Sequence, residues 1–214
     1  MELNKFIDHT LLRPDASPKE IEQLCLEAKQ CNFASVCVNP CYVSLSAKLL
    51  SGSDVKVCTV IGFPLGQMTT KIKCAEALDA IENGAHEIDM VLNIGALKDH
   101  NLSYVTDEIK QVKEICHKHQ AILKVIIETC VLSEENKIDA CKCVSEAQAD
   151  FIKTSTGFST GGATVNDVQL MKKHIAPEVK IKASGGIRSK EDAIKLIEAG
   201  ASRLGTSHGV ELIK

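Results

Sequence analysis

No stretch of this sequence is apolar for long enough to cross a bilayer, and its opening, Met-Glu-Leu-Asn-Lys-Phe, has no signal-peptide pattern. A cytoplasmic protein with reduced thiols is expected. An excess of one charge sign is missing too: the formal net charge of −3 argues against electrostatic binding to nucleic acid or a membrane surface. A local basic pocket for a small anion would not register in that total. Metal-ligand spacing is scarce. The ten cysteines contain no pair of Cys-x-x-Cys knuckles, and no His-Glu-x-x-His occurs. Cys141 and Cys143 stand two apart in a helical pattern, which puts them on different faces, while His117 and His119 lie in a polar, Lys-rich helix end. Neither a metal nor another cofactor is expected, and cysteine as a small buried hydrophobe accounts for most of the thiols. No Gly-x-Gly-x-x-Gly follows the first strand-like segment, which counts against a dinucleotide-binding open sheet. Linkers, low-complexity segments and close internal repeats are absent as well, so residues 1–214 are expected to form one domain.

What the sequence does contain is an alternation. Its 214 residues, 44% hydrophobic and 25% charged, suit one sizeable core. Short β-branched apolar runs give way to longer amphipathic stretches: strands are predicted at 6–12, 33–38, 55–61, 87–92, 122–127, 151–153, 179–183 and 203–206. Helices are predicted between them. Ser17-Pro-Lys-Glu20 and Ser133-Glu-Glu135 carry helix-start signatures, and Gly84 and Gly200 stop signals. The strands read as near-continuous apolar runs, as in a parallel sheet covered on both faces. Eight strand-then-helix units in about 210 residues predict an α/β (β/α)8 TIM barrel.

Such a barrel builds its site at the C-terminal ends of the strands. Position alone then selects Asp8, Cys37, Asp89, Glu128, Lys153, Lys182 and Ser207. Lys153 ends the sixth strand before a Thr/Ser/Gly loop, and Lys182 stands near the end of the seventh. Neighbouring parallel strands lie about 4.8 Å apart, so two ammonium groups there would repel, and one would be driven to the neutral amine that forms Schiff bases. The bland alternative is two lysines capping the rim and reaching for water. Asp89, flanked by Ile88 and Met90, needs a donor partner if buried; it could serve chemistry or an ion pair that fixes the barrel. Glu128 and Asp8 could be hydrogen-bond struts. Gly157, Gly161 and Gly162, then Gly185 and Gly186, then Gly205 and Ser207 follow the last three strands, where such barrels commonly hold phosphate.

Together, Lys153-Thr-Ser-Thr-Gly157 with its Ser159-Thr-Gly-Gly-Ala163 tail, Lys182-Ala-Ser-Gly-Gly-Ile-Arg188, Glu87-Ile-Asp-Met-Val91, Thr59-Val-Ile-Gly-Phe-Pro64 and Val36-Cys-Val-Asn-Pro40 resemble the deoxyribose-phosphate aldolase family. The resemblance runs from about Phe6 to Val210 in the family's order. It implies a class I aldolase acting on a small phosphosugar and aldehydes, in deoxyribose phosphate catabolism. Lys153 matches the Schiff-base lysine, Lys182 the second lysine that lowers its pKa, and Asp89 the proton-relay carboxylate. Gly157, Gly185, Gly186, Gly205 and Ser207 match phosphate-binding positions, and Asp8, Cys37 and Thr156 match residues lining the site. The implied reaction cleaves 2-deoxy-D-ribose 5-phosphate to D-glyceraldehyde 3-phosphate and acetaldehyde, and the bond expected to break is C3–C4.

Two departures stand out. His208 occupies a position where many members carry serine, and the sequence stops at Lys214 without the tail and terminal tyrosine of some members, so that tyrosine's assistance is expected to be absent or replaced by water. A transaldolase-like enzyme and a non-catalytic phosphosugar-binding barrel are the alternatives. A homodimer through exposed helix faces is a further expectation.

Overall fold

The computed structural model describes residues 2–214. Eight parallel strands close in sequence order: β1 (Ile7–Leu11), β2 (Ser35–Val38), β3 (Lys56–Ile61), β4 (Glu87–Val91), β5 (Ile122–Ile126), β6 (Phe151–Lys153), β7 (Lys180–Ser184) and β8 (Arg203–Thr206), with β8 pairing back to β1. This is the predicted (β/α)8 barrel. The helices around it are α1 (Pro18–Gln30), α2 (Val43–Leu49), α3 (Thr70–Glu82), α4 (Ile94–Lys98), α5 (Leu102–Lys118), α6 (Glu134–Glu146), α7 (Val165–His174), α8 (Lys190–Ala199) and α9 (Gly209–Leu212). Strand ends fall within two residues of the sequence-based ranges. The five-residue α4 was not predicted, because one turn has no periodicity to detect; Asn93 caps it by accepting the Ala96 N–H at 3.0 Å.

Helix starts follow the local chemistry. The Glu20 carboxylate reaches back to accept both the N–H and the hydroxyl of Ser17, at 2.9 and 2.7 Å. Ser133, Thr164 and Ser189 each accept a backbone N–H three residues on. Gly84 ends α3 at φ +105°, a left-handed backbone that a side chain would disfavour.

The outward strand residues and the inner helix faces make one continuous apolar layer, including Ile7, Ile21, Phe33, Ile88, Leu123 and Val144. Inside the barrel the packing is divided. The β2–β3 side is a small apolar cluster of Cys37, Cys58 and Val60 with Leu12. The remaining strands turn charged side chains inward, and these form the site. Between α3 and α5 a second buried ion pair, Lys73 to Glu108 at 2.8 Å, ties the helix layer to the end of β4, because Lys73 also donates to Val91 O at 2.8 Å and Glu108 accepts Asn93 N–H at 3.0 Å. Among the described residues, no helix is long and apolar enough to cross a membrane.

Candidate active site

Lys153 and Lys182 are register partners on β6 and β7, as their strand positions predicted. Both are buried, at 3% and 0% exposure. Each donates to Oδ2 of Asp89 at 2.7 Å. Rim lysines reaching for water would not be enclosed in this way, so the bland alternative fails. Asp89, fully buried on β4, also accepts from Lys124 on β5 through Oδ1 at 2.8 Å. A carboxylate at this depth is costly unless surrounded by donors, and here three lysine amines surround it.

The charges extend beyond these residues. Lys182 also contacts Asp8 Oδ2 on β1 at 2.5 Å, and Arg203 of β8 holds the other Asp8 oxygen at 2.6 Å, where Ser35 donates as well. Arg203 and Lys124 meet again at Glu87, at 3.1 and 2.6 Å. Three carboxylates thus face four basic side chains. Burial pushes the Asp89 carboxyl up, but Lys124, Lys153 and Lys182 outweigh it and hold the group well below the usual carboxylate range. Asp8 is held low in the same way, burial being opposed by Lys182, Arg203 and Lys124. Burial pulls the Lys182 ammonium down, yet Asp8 and Asp89 prevail and keep it above its ordinary value. Lys182 is therefore a fixed cation.

Above this layer lies a cavity of about 320 Å³ at the C-terminal mouth of the barrel. Lys153 forms its floor. Gly157, Gly185, Gly186, Gly205 and Ser207 all reach its wall, as does Thr156, so the loops after β6, β7 and β8 converge as the sequence predicted. Gly157, Gly185 and Gly186 have φ between +76° and +87°, which turns the chain in a way side chains disfavour and leaves backbone facing the cavity. Two loops touch directly: a Cβ on Gly162 would lie 2.2 Å from the Gly185 carbonyl oxygen. Arg13, Arg188 and His208 supply basic groups around the mouth. His208 Nδ1 is 3.1 Å from Ser207 Oγ, so the unusual histidine partners the expected phosphate-binding hydroxyl.

Asp8 and Cys37, expected to line the site, do not reach the cavity wall. Asp8 sits two residues before Thr10, deeper along β1, where it anchors Lys182 and Arg203. Cys37 is enclosed with Cys58, Val60 and Leu12 on the apolar side of the barrel. Glu128 is a strut: its backbone is left-handed at φ +55°, and its buried carboxylate accepts the Thr156 N–H at 3.2 Å and the Thr156 hydroxyl at 2.5 Å. Those bonds fix the loop that carries Gly157.

Glu87, Lys124 and Arg203 belong to the charged cluster, and sequence reasoning assigned them no role. Two of them carried a signal. Glu87 shares a strand face with Asp89 at period two, and Lys124 interrupts Ile122-Leu-Lys-Val-Ile126 just as Asp89 interrupts its own strand. Two groupings bring possible metal-ligand atoms within 4.8 Å of one another, Cys37/Cys58/Asp89 and Asp8/Cys58/Glu87. Their carboxylates are already engaged by lysine and arginine, so a cation would have to displace ammonium or guanidinium groups.

The chain that carries this site matches known proteins along its length. A family model described as DeoC/LacD family aldolase covers residues 4–211. The chain belongs to the DeoC/LacD aldolase family. A deoxyribose-phosphate aldolase of Brevibacillus brevis is 59% identical over 213 residues, covering 100% of this chain and 96% of that protein. Among solved structures, one described as QR15, an aldolase, superposes with a TM-score of 0.94 at 44% identity, covering 99% of this chain and 94% of the other. The deoxyribose phosphate aldolase of Aeropyrum pernix, described as a unique tetrameric structure, superposes at 0.92 with 33% identity, covering 99% and 89%. The family's barrel and the charged floor of this chain's cavity therefore occur together.

Proposed function

We infer that this protein is a class I aldolase that reversibly cleaves 2-deoxy-D-ribose 5-phosphate to D-glyceraldehyde 3-phosphate and acetaldehyde. One observation carries the reading: Lys153 lines the cavity, and its Nζ lies 2.7 Å from the Asp89 oxygen it shares with Lys182. Family membership and the high identity to a deoxyribose-phosphate aldolase support the substrate.

The chemistry follows from the charges. Four basic groups against three carboxylates leave one amine in the cluster without a carboxylate of its own. Lys153 is the member that faces the cavity, and it attacks the C1 aldehyde of the open sugar. Loss of water gives an iminium on Lys153, whose positive charge takes the place of the ammonium beside Asp89. That cation accepts the electron pair released when the carbon–carbon bond breaks. The bond is C2–C3, and the expected C3–C4 is corrected by carbon count: a two-carbon aldehyde and a three-carbon phosphate can come from five carbons only in this way. The C3 hydroxyl gives up its proton as C3 becomes an aldehyde, and the enamine carbon C2 later takes one up. Asp89 is held too far down to keep a proton, so it passes the proton on to water beside Lys182. Hydrolysis of the iminium frees acetaldehyde and Lys153. The glycine loops and the basic groups at the mouth hold the phosphate, with backbone N–H groups free to approach it.

A cytoplasmic location, the role in deoxyribose phosphate breakdown and a homodimer belong to the same reading. The ten cysteines, all unpaired, support a reducing surrounding, and sedimentation velocity reports the assembly. The deciding experiment is incubation with acetaldehyde and borohydride, followed by peptide mapping, alongside an assay with deoxyribose phosphate as sole substrate. A reduced two-carbon adduct on Lys153, lost in Lys153→Ala together with turnover, is expected. Full turnover in that variant would overturn the mechanism, a need for a second sugar would point to a transferase, and ligand stabilisation with no adduct would leave a binding barrel.

A further inference from the structure

Ser184 is the last residue of β7, two beyond Lys182 and so on the same inward face. Ser184 is among the residues that line the cavity, yet it is only 5% exposed. The backbone around it is fully committed. Its N–H donates to Thr154 Oγ1 at 3.1 Å, and its carbonyl accepts from Thr154 Oγ1 at 3.2 Å and from Ala163 N–H at 3.0 Å. The hydroxyl, by contrast, is buried and has no hydrogen-bond partner among the described residues. A buried hydroxyl left unpaired is costly, so one held rigidly beside a cavity calls for an explanation.

The register partner of Ser184 supplies it. Gly205 stands opposite on β8, and a Cβ there would lie 2.6 Å from Ser184 Oγ and 3.1 Å from Lys182 Cε. Glycine at 205 is what keeps the space before the hydroxyl clear. Lys182 Cε borders that space, and Lys153 and the loops after β6, β7 and β8 line the same cavity. A ligand whose one end is covalent on Lys153 and whose other end is a phosphate must lay its middle carbons here.

We propose that Ser184 is a specificity-determining residue that hydrogen-bonds the substrate hydroxyl on C4, the carbon next to the phosphate-bearing carbon. The assignment rests on the aldolase reading above. In that reading C1 and C2 react at Lys153, the C3 oxygen hands its proton to the Asp89 relay, and the phosphate takes the loops. The C4 hydroxyl is the polar group without a partner, and Ser184 Oγ is a buried, unpartnered hydroxyl on a residue that lines the cavity, which Ser46, Thr129 and Ser155 do not. In the synthetic direction the same oxygen is the C2 hydroxyl of D-glyceraldehyde 3-phosphate. A site built to pair with a hydroxyl discriminates against an acceptor that lacks it, because its own polar group then stays unpaired.

The test compares wild type and Ser184→Ala in the addition of acetaldehyde to two acceptors, D-glyceraldehyde 3-phosphate and 3-phosphooxypropanal, which carries the phosphate but not the hydroxyl. Wild type should prefer the hydroxylated acceptor. Ser184→Ala should lose roughly tenfold in kcat/KM on it, the worth of one such hydrogen bond, and should match wild type on the deoxy acceptor. Borohydride trapping of acetaldehyde on Lys153 should be the same in both proteins, showing an intact floor. An equal loss on both acceptors would reassign Ser184 to structure, and no loss on either would leave the hydroxyl without a ligand; both overturn the proposal while wild-type aldolase activity stands. A wild type that traps no acetaldehyde and converts neither acceptor would instead sink the aldolase reading, and this inference with it.

Discussion

Lys153 and Lys182 stand opposite each other on adjacent strands, and both amines donate to a single oxygen, Asp89 Oδ2, at 2.7 Å. One carboxylate oxygen cannot neutralise two ammonium groups. Lys182 has a second carboxylate in Asp8, whereas Lys153 has only the shared one and opens onto the cavity. The asymmetry makes Lys182 the fixed charge, and under the proposed aldolase reading it leaves Lys153 as the nucleophile.

Replacing Lys182 with methionine should therefore do more than remove a contact. With the neighbouring cation gone, Asp89 Oδ2 is left to bind the Lys153 amine alone, and borohydride trapping of acetaldehyde there should slow on the order of tenfold or more. Trapping followed by mass at pH 7 checks this, and unchanged trapping would remove Lys182 from the activation of Lys153.

The floor also makes stability depend on pH, with a definite sign. Asp8 in the folded chain lies below its unfolded value of about 3.9, so its contribution is complete above roughly pH 4 and is lost as the pH falls through the folded value. Lys182 lies above its ordinary value in the folded chain, so its contribution is complete below about pH 10 and is lost as the pH rises through the folded value. Asp8→Asn breaks a buried pair and should cost about 3 kcal/mol at neutral pH. The gap between wild type and variant should narrow as the pH falls below 4, and urea denaturation midpoints between pH 2.5 and pH 7 measure it. A constant gap would mean that the carboxylate charge is not what Asp8 supplies.

The contact between Gly162 and Gly185 should matter to the phosphate end alone. An alanine at 162 meets the Gly185 carbonyl at 2.2 Å, and since that obstacle is backbone rather than a flexible side chain, the loops after β6 and β7 must part. Gly162→Ala should raise KM for deoxyribose phosphate about tenfold or more, while acetaldehyde trapping at Lys153, deeper in the barrel, persists. Equal losses in both assays would show that the loops and the floor are not separable.

Much of this was legible in the amino acids. The alternation of apolar runs and capped helices is written in local periodicity, and the eight-fold count leads to the barrel because each strand-helix unit obeys the same short-range rules. Asp89 was legible as a charge inside an apolar strand, and Lys153 and Lys182 as lysines at strand ends before glycine loops. The same logic applied to Lys124 would have found it, since Ile122-Leu-Lys-Val-Ile126 breaks its strand in the same way. The one-turn α4 was not legible, because five residues cannot display a period.

Which groups share partners belongs to the tertiary structure. Arg203 and Asp8 lie 195 residues apart, and nothing local to either announces that they meet at 2.6 Å. Closure of β8 onto β1 brings them together, and the same closure sets Gly205 across from Ser184. Asp8 and Cys37 looked alike as polar residues near strand ends, but depth along the strand and the inward-facing neighbours separated them, one into the charged floor and the other into the apolar cluster. Residue type and periodicity determined the strands, the helices and the placing of lysines at strand ends, because those depend on neighbours within a turn or two. The orphan hydroxyl of Ser184, the oxygen shared by two lysines and the surplus of one base were decided by barrel closure, because desolvation and charge count depend on everything that faces inward at once.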